Sequence, residues 1–171
     1  MEDKSIKIVF LGASEVGKTC LISRYINGNM GDGISTEGAS YCQKKIEVNG
    51  AKYLCELYDL SGHEKYRPLT KFLVNDSKII VLVYDITKKS SFIDLEFWLD
   101  IVLEKLGNEV YLVLVGNKKD LIEKEEINEE QGRKFAEIIN ANFALVSAEE
   151  EFYSQWNNFL ENEIKNYIIK S

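Results

Sequence analysis

The stretch "IKIVFLGASEVGKTCLISRYIN", Ile6 to Asn27, decides the fold. Its first six residues are an apolar run that stops at Gly12, as a buried strand does. Its last ten, Lys18 to Asn27, repeat apolar residues near helical spacing. Between them, "GASEVGKT" fits G-x-x-x-x-G-K-[ST]. In such a loop the backbone amides point inward and, with the helix N-terminus behind them, cradle phosphate oxygens. Gly17 lets the backbone come close, Lys18 sets a charge on the β- and γ-phosphates, and the Thr19 hydroxyl reaches Mg²⁺. Ser14, Glu15, Val16, Gly17, Lys18, Thr19 and Cys20 form the expected phosphate-binding set. Glu15 must face solvent, since its carboxylate would otherwise weaken anion binding.

Around this stretch the composition sets limits. A chain of 171 residues suits one domain with one substantial core. No apolar run is long enough to cross a bilayer. The start, "MEDKSIK", lacks a basic-then-apolar signal and the glycine that myristoylation needs. Three cysteines without paired spacing argue against a disulfide framework, so reduced thiols in or near the core are expected. A net charge of −7 disfavours a nucleic-acid face, although a local amide nest still binds a small anion.

Further along, "GNMGDGISTEG" has four glycines and no periodicity, and reads as a mobile loop. Asn49-Gly50 joins two strand-like runs as a tight hairpin. "KIIVLVYDIT" and "EVYLVLVGN" read as strands covered on both faces. "SSFIDLEFWLDIVLEKLG" reads as one amphipathic helix opened by a serine cap. Asn128 with Gln131 resembles a capping box, and "NFALVSA" reads as a last strand. Phe152, Trp156, Phe159, Leu160, Ile164, Tyr167 and Ile168 share one face of a final helix. Strands alternating with helices, interrupted by one hairpin, imply an α/β, doubly wound, mostly parallel sheet with one antiparallel edge strand. Ligands in such folds sit beyond the carboxyl ends of the strands. The chemistry is therefore expected just after Leu11, Asp59, Val115 and Val146.

Those points carry distinctive residues. Asp59 could hold Mg²⁺ through water, Gly62 could offer its amide to a γ-phosphate, and Thr36 could give the metal a second hydroxyl. In "GNKKDL", Asp120 can accept from both N1–H and the 2-amino group of guanine, a pair adenine does not present. Asn117 can bridge base edge and phosphate loop, and the Lys118 stem can cover one face of the base. Ser147-Ala148 could turn a backbone N–H toward guanine O6.

Taken together, "GASEVGKT", "DLSGHEKYRPLT", "VYDIT…SF…L…W" from Val83 to Trp98, "GNKKDL" and "VSAEE" resemble a small GTPase of the Ras superfamily, most like its Rab branch. The resemblance spans nearly the whole chain. It implies one G domain over residues 1–171 with the P-loop NTPase fold: six strands, one antiparallel at an edge, and about five helices on both faces. It implies GTP, GDP and Mg²⁺ as ligands, with two loops ordered by Mg²⁺-GTP and released on hydrolysis. Thr36 would lie in the first loop, and Asp59 to about Asn75 would form the second. Effector proteins on those loops, a guanine-nucleotide exchange factor, a GTPase-activating protein and a place in vesicle traffic are the implied context.

The departures are equally specific. Met30 stands where the family sets an aromatic against the guanine, "TEGASY" replaces the usual "TIGVDF", and "SAE" replaces "SAK". The chain ends "YIIKS" without the prenylated cysteines of Rab proteins. By itself it is expected not to anchor stably to a membrane. It is expected to be cytoplasmic, with recruitment to endomembranes through a missing tail or a partner. His63, the only histidine, stands where a water-orienting glutamine is usual. An imidazole without a large partner to place it should serve poorly, so slow hydrolysis is expected. Two other readings stay open from the residues: a GTP-binding scaffold with negligible turnover, and a P-loop kinase of small substrates, against which "NKKD" argues.

Overall fold

A computed structural model describes residues 4–33 and 36–171. The N-terminal signal expectation rests partly on residues 1–3, and the glycine-rich loop includes residues 34 and 35; these lie outside the described residues. Six strands form one sheet in the order β2-β3-β1-β4-β5-β6. They are β1 (Lys4–Leu11), β2 (Ala39–Val48), β3 (Ala51–Leu60), β4 (Ile79–Asp85), β5 (Tyr111–Asn117) and β6 (Asn142–Leu145). Only β2 runs antiparallel, paired to β3 at one edge; the other neighbours are parallel. Asn49 and Gly50 both have positive φ, 52° and 78°, as a two-residue type I′ hairpin requires.

Among the described residues the helices are α1 (Lys18–Asn27), α2 (Arg67–Leu73), α3 (Lys89–Ile93), α4 (Leu95–Leu106), α5 (Glu129–Ile138) and α6 (Tyr153–Lys170). Strand alternation divides the core between the two faces of the sheet. Ile6, Ile8 and Phe10 of β1 pack with Leu21 and Tyr25 of α1 and with Trp156, Leu160 and Ile164 of α6. Val9 and Leu11 face the other way, toward Leu95, Trp98 and Val102 of α4 and Ala136 of α5. The seven residues of β4 are all buried, which is why that strand is apolar almost throughout. Trp156 is fully buried, and its indole N–H donates to the Leu21 carbonyl at 2.8 Å, pinning α6 to α1.

Several elements differ from the sequence reading. The helix expected over Ser90–Gly107 is two pieces that meet at Asp94. Its serine cap is absent; Lys88 stands at the N-cap with no side-chain bond. The serine that acts is Ser91, whose hydroxyl accepts from the Asp85 N–H at 3.0 Å and donates to the Lys88 carbonyl at 2.7 Å. Helix α2, with Pro68 in its first turn, forms within the segment that the resemblance assigns to the second loop. Strand β6 ends at Leu145, short of Ala148. The Asn128–Gln131 capping box is complete, with both reciprocal bonds at 3.0 Å. Cys20, Cys42 and Cys55 are free thiols. No helix among the described residues is long and apolar enough to cross a membrane.

Candidate functional site

The carboxyl ends of β1, β3 and β5 open onto a cleft of about 280 Å³. It is lined by Ser14, Glu15, Gly17, Lys18, Thr19, Cys20, Gly33, Thr36, Asp59, Ser61, Gly62, His63 and Lys118, so most of the residues read from the first and second motifs meet there.

The phosphate loop is shaped by backbone that ordinary residues avoid. Gly17 has φ 98°, and a Cβ there would stand 2.3 Å from the Asn117 side-chain nitrogen. That nitrogen donates to the Val16 carbonyl at 2.8 Å, so Asn117 ties the turn after β5 to the loop. Lys18 is buried, and its ammonium donates to the carbonyls of Gly12 and Ala13 at 2.8 and 2.7 Å. Burial pulls the Lys18 ammonium down to about 8 despite the nearby Asp59 carboxylate. Glu15 turns outward, and its carboxylate lies 3.4 Å from Lys88 Nζ at the surface.

Beside Lys18, three oxygens converge. The hydroxyls of Thr19 and Thr36 each donate to Asp59 Oδ2, at 2.5 and 2.7 Å, and lie 2.8 Å from one another. Asp59 Oδ1 is buried and takes no hydrogen bond among the described residues. Adjacent ligands of an octahedral ion with bonds near 2.1 Å stand roughly 3 Å apart. The two hydroxyls, 2.8 Å apart, suit adjacent positions on Mg²⁺, and the Asp59 carboxylate beside them, with a buried acceptor to spare, suits a water on that ion.

The segment after β3 is seated on the phosphate loop. A Cβ at Gly62 would lie 2.3 Å from both Ala13 C and Ser14 N, so no other residue fits without displacing one backbone or the other. Ser61 N–H donates to the Gly38 carbonyl at 2.9 Å, joining the two loops that flank the cleft. The His63 imidazole is exposed at the cleft rim, and the His63 N–H donates to Ser61 Oγ at 3.3 Å.

A second group lies beyond the turn after β5. Asp120 Oδ1 accepts from Ser147 Oγ at 2.5 Å, and Ser147 Oγ accepts from the Glu149 N–H at 3.1 Å. The Ala148 carbonyl is held by Arg24 Nε at 2.7 Å. Met30 is not among the residues lining the cleft; it packs half-buried against the core cluster that contains α1 and α6. Arg24, which holds the Ala148 carbonyl, and Ser61, which joins the two flanking loops, are absent from the sequence reading; a basic residue inside an amphipathic helix is the signal that points to Arg24.

Comparison with known proteins agrees with this geometry. The family model described as the Ras family matches residues 7–165. Human Ras-related protein Rab-30 is 36% identical over 153 residues, 88% of this chain and 75% of that protein. Ras-related protein Rab-26 of Rattus norvegicus is 35% identical over 148 residues, 85% of this chain and 58% of that protein. The chain belongs to the Ras family. Within it the chain is a Rab-like small GTPase, with the α/β P-loop fold. Members of this family bind guanine nucleotides, hydrolyse GTP, and interact with effectors, exchange factors and activating proteins.

Proposed function

We propose that this chain is a Mg²⁺-dependent GTP/GDP switch with slow hydrolysis, acting in vesicle traffic, its 171 residues forming one G domain. The observation that carries the reading is the convergence of Thr19, Thr36 and Asp59 beside the buried Lys18. Thr19 and Thr36 would hold Mg²⁺ directly and Asp59 through water. When bound, that ion supplies positive charge at the phosphate oxygens. Ser14 through Cys20 would cradle the phosphates, with the Lys18 ammonium exchanging the Gly12 and Ala13 carbonyls for phosphate oxygens. Gly62 would present its N–H to the terminal phosphate.

At the base, Asp120 would accept from two guanine donors, Ser147 would orient Asp120, and Ala148 would supply an N–H to O6. Asn117 would brace base pocket and phosphate loop together. The Lys118 stem would cover one face of the base, and Met30, if it leaves its packing on the core, the other. Hydrolysis adds water to the terminal phosphorus, breaks its bond to the bridging oxygen, and releases GDP and inorganic phosphate. His63 stands at the rim from which that water would be oriented, and its exposure supports weak assistance. Thr36 and the segment from Asp59 would report the nucleotide to effectors. Exchange and activating proteins would reset the switch, and a partner or a tail would bring the chain to endomembranes.

Competition by unlabelled nucleotides against a fluorescent GDP, with and without Mg²⁺, followed by single-turnover GTP hydrolysis, tests the reading. GDP and GTP should compete while ADP and ATP do not, chelation should speed release, and turnover should be on the order of 10⁻⁴ s⁻¹. Equal competition by ATP would overturn the guanine assignment. No turnover even with an activating protein would leave a GTP-binding interaction scaffold in its place.

A further inference from the structure

Strand β4 ends on Asp85, which is fully buried. A carboxylate in such a place requires a cation or several donors. Its Oδ1 accepts from the Thr87 N–H at 2.9 Å and the Thr87 hydroxyl at 2.7 Å. Its Oδ2 lies 2.7 Å from Lys118 Nζ. The same ammonium donates to the Glu15 carbonyl at 2.9 Å. One cation thus joins the end of β4, the phosphate loop and the turn after β5. Lys118 and Glu15 both hold left-handed backbone, φ 69° and 64°, so each sits in a conformation that a neighbour must help to hold. The other lysine at this edge, Lys88, pairs with the exposed Glu15 carboxylate at 3.4 Å, a weak surface contact.

We propose that Asp85 is a positioning residue of the nucleotide site, drawing the Lys118 ammonium inward so that its stem stays fixed along the cleft and its head clamps the phosphate loop at Glu15. This rests on the guanine-nucleotide reading above. Asp85 itself touches no ligand. Without its charge, the Lys118 ammonium keeps one carbonyl and turns otherwise to water, and the stem samples several rotamers. The loss falls on the part of the site common to GDP and GTP, so both should be released faster by a similar factor.

The test is a double-mutant cycle on release of ribose-labelled fluorescent GDP from the Mg²⁺-loaded chain, with a labelled GTP analogue in parallel. Asp85→Asn keeps the side-chain shape and an acceptor for Thr87 while removing the charge. It should speed release of both nucleotides about tenfold, the scale of one charge-assisted hydrogen bond. Lys118→Met should also speed release. Adding Asp85→Asn to Lys118→Met should change it by less than about twofold, because the two residues act through one contact. Thr87→Val, which removes only one bond to Oδ1, should give a smaller acceleration that likewise vanishes in the Lys118→Met background; it decides the matter if Asp85→Asn fails to fold. Equal acceleration in both backgrounds would make Asp85 merely structural, and no acceleration in either would overturn the inference outright. An unmutated chain with no preference for GDP over ADP would instead overturn the guanine reading, and this inference with it.

Discussion

Asp120 and His63 are the residues on which base choice and rate should turn. Asp120 Oδ1 accepts from Ser147 Oγ, a bond that would hold the carboxylate in place for a guanine base. Asp120→Ala leaves two guanine donors unpaired and should cost about 1–3 kcal/mol of binding. Asp120→Asn should move preference toward xanthine nucleotides, which offer an acceptor where guanine has a donor; competition with labelled GDP reads both. His63→Gln replaces a ring with an amide that both donates and accepts on a flexible stem. It should speed single-turnover hydrolysis several-fold and leave GTP affinity unchanged, whereas losses from both glutamine and alanine would mark His63 as the working group. For Asp85, burial pushes the carboxyl up, but Lys118 and Thr87 outweigh it and hold it below the usual aspartate range. A depressed carboxyl stabilises above its unfolded value, near 3.9, and loses that contribution as pH falls through its folded one. The stability gap between the unmutated chain and Asp85→Asn should therefore stay constant from pH 5 to 8 and close only in more acid solution, as denaturant titrations would show. Most residues that meet at the cleft were legible because Ser14 to Cys20 and Asp59 to His63 are short local runs. The Asp85–Lys118 pair was not, because it exists only through the β4–β5 register that sets Asp85 opposite Asn117.

At the scale of elements, α5 gives opposed expectations at one position. Gly132 lies within it, and helix propensity alone favours alanine there by about 1 kcal/mol. A Cβ at Gly132, however, would stand 2.4 Å from the Tyr84 hydroxyl and 2.7 Å from the edge of the Phe143 ring. Neither ring can bend away, so Gly132→Ala should destabilise by about 1–3 kcal/mol, and Tyr84→Phe should recover part of that loss. Asn128→Ala removes one half of the capping box and should cost about 1 kcal/mol. Thermal unfolding reads all three. The box was legible because its two members are near neighbours in sequence. Helix α2 was not, because seven residues beginning with Arg67-Pro68 are too few to show a period. The break at Asp94 was hidden inside an apolar pattern that runs on through both α3 and α4.

For the whole molecule, ligand and fold should be coupled. A site built from the ends of three strands exists only in the folded chain. GDP with Mg²⁺ at about 100 times its Kd should therefore add about 2.7 kcal/mol to unfolding free energy, and chelation should remove much of it. The alternation of strands and helices made the sheet legible, since every parallel crossover must pass over one face. One consequence belongs to the antiparallel edge. Ten residues of β2 leave half their backbone donors and acceptors without a neighbouring strand, the arrangement on which chains stack into aggregates. Along its outer face stand Gln43, Lys45 and Glu47, all exposed. Lys45→Val would convert that face into a stickier β-ribbon, and light scattering during prolonged warming should rise sooner than for the parent chain. The outermost strand of the sheet is thus also where the colloidal lifetime of the protein is set, by the polar and charged side chains that stand along it.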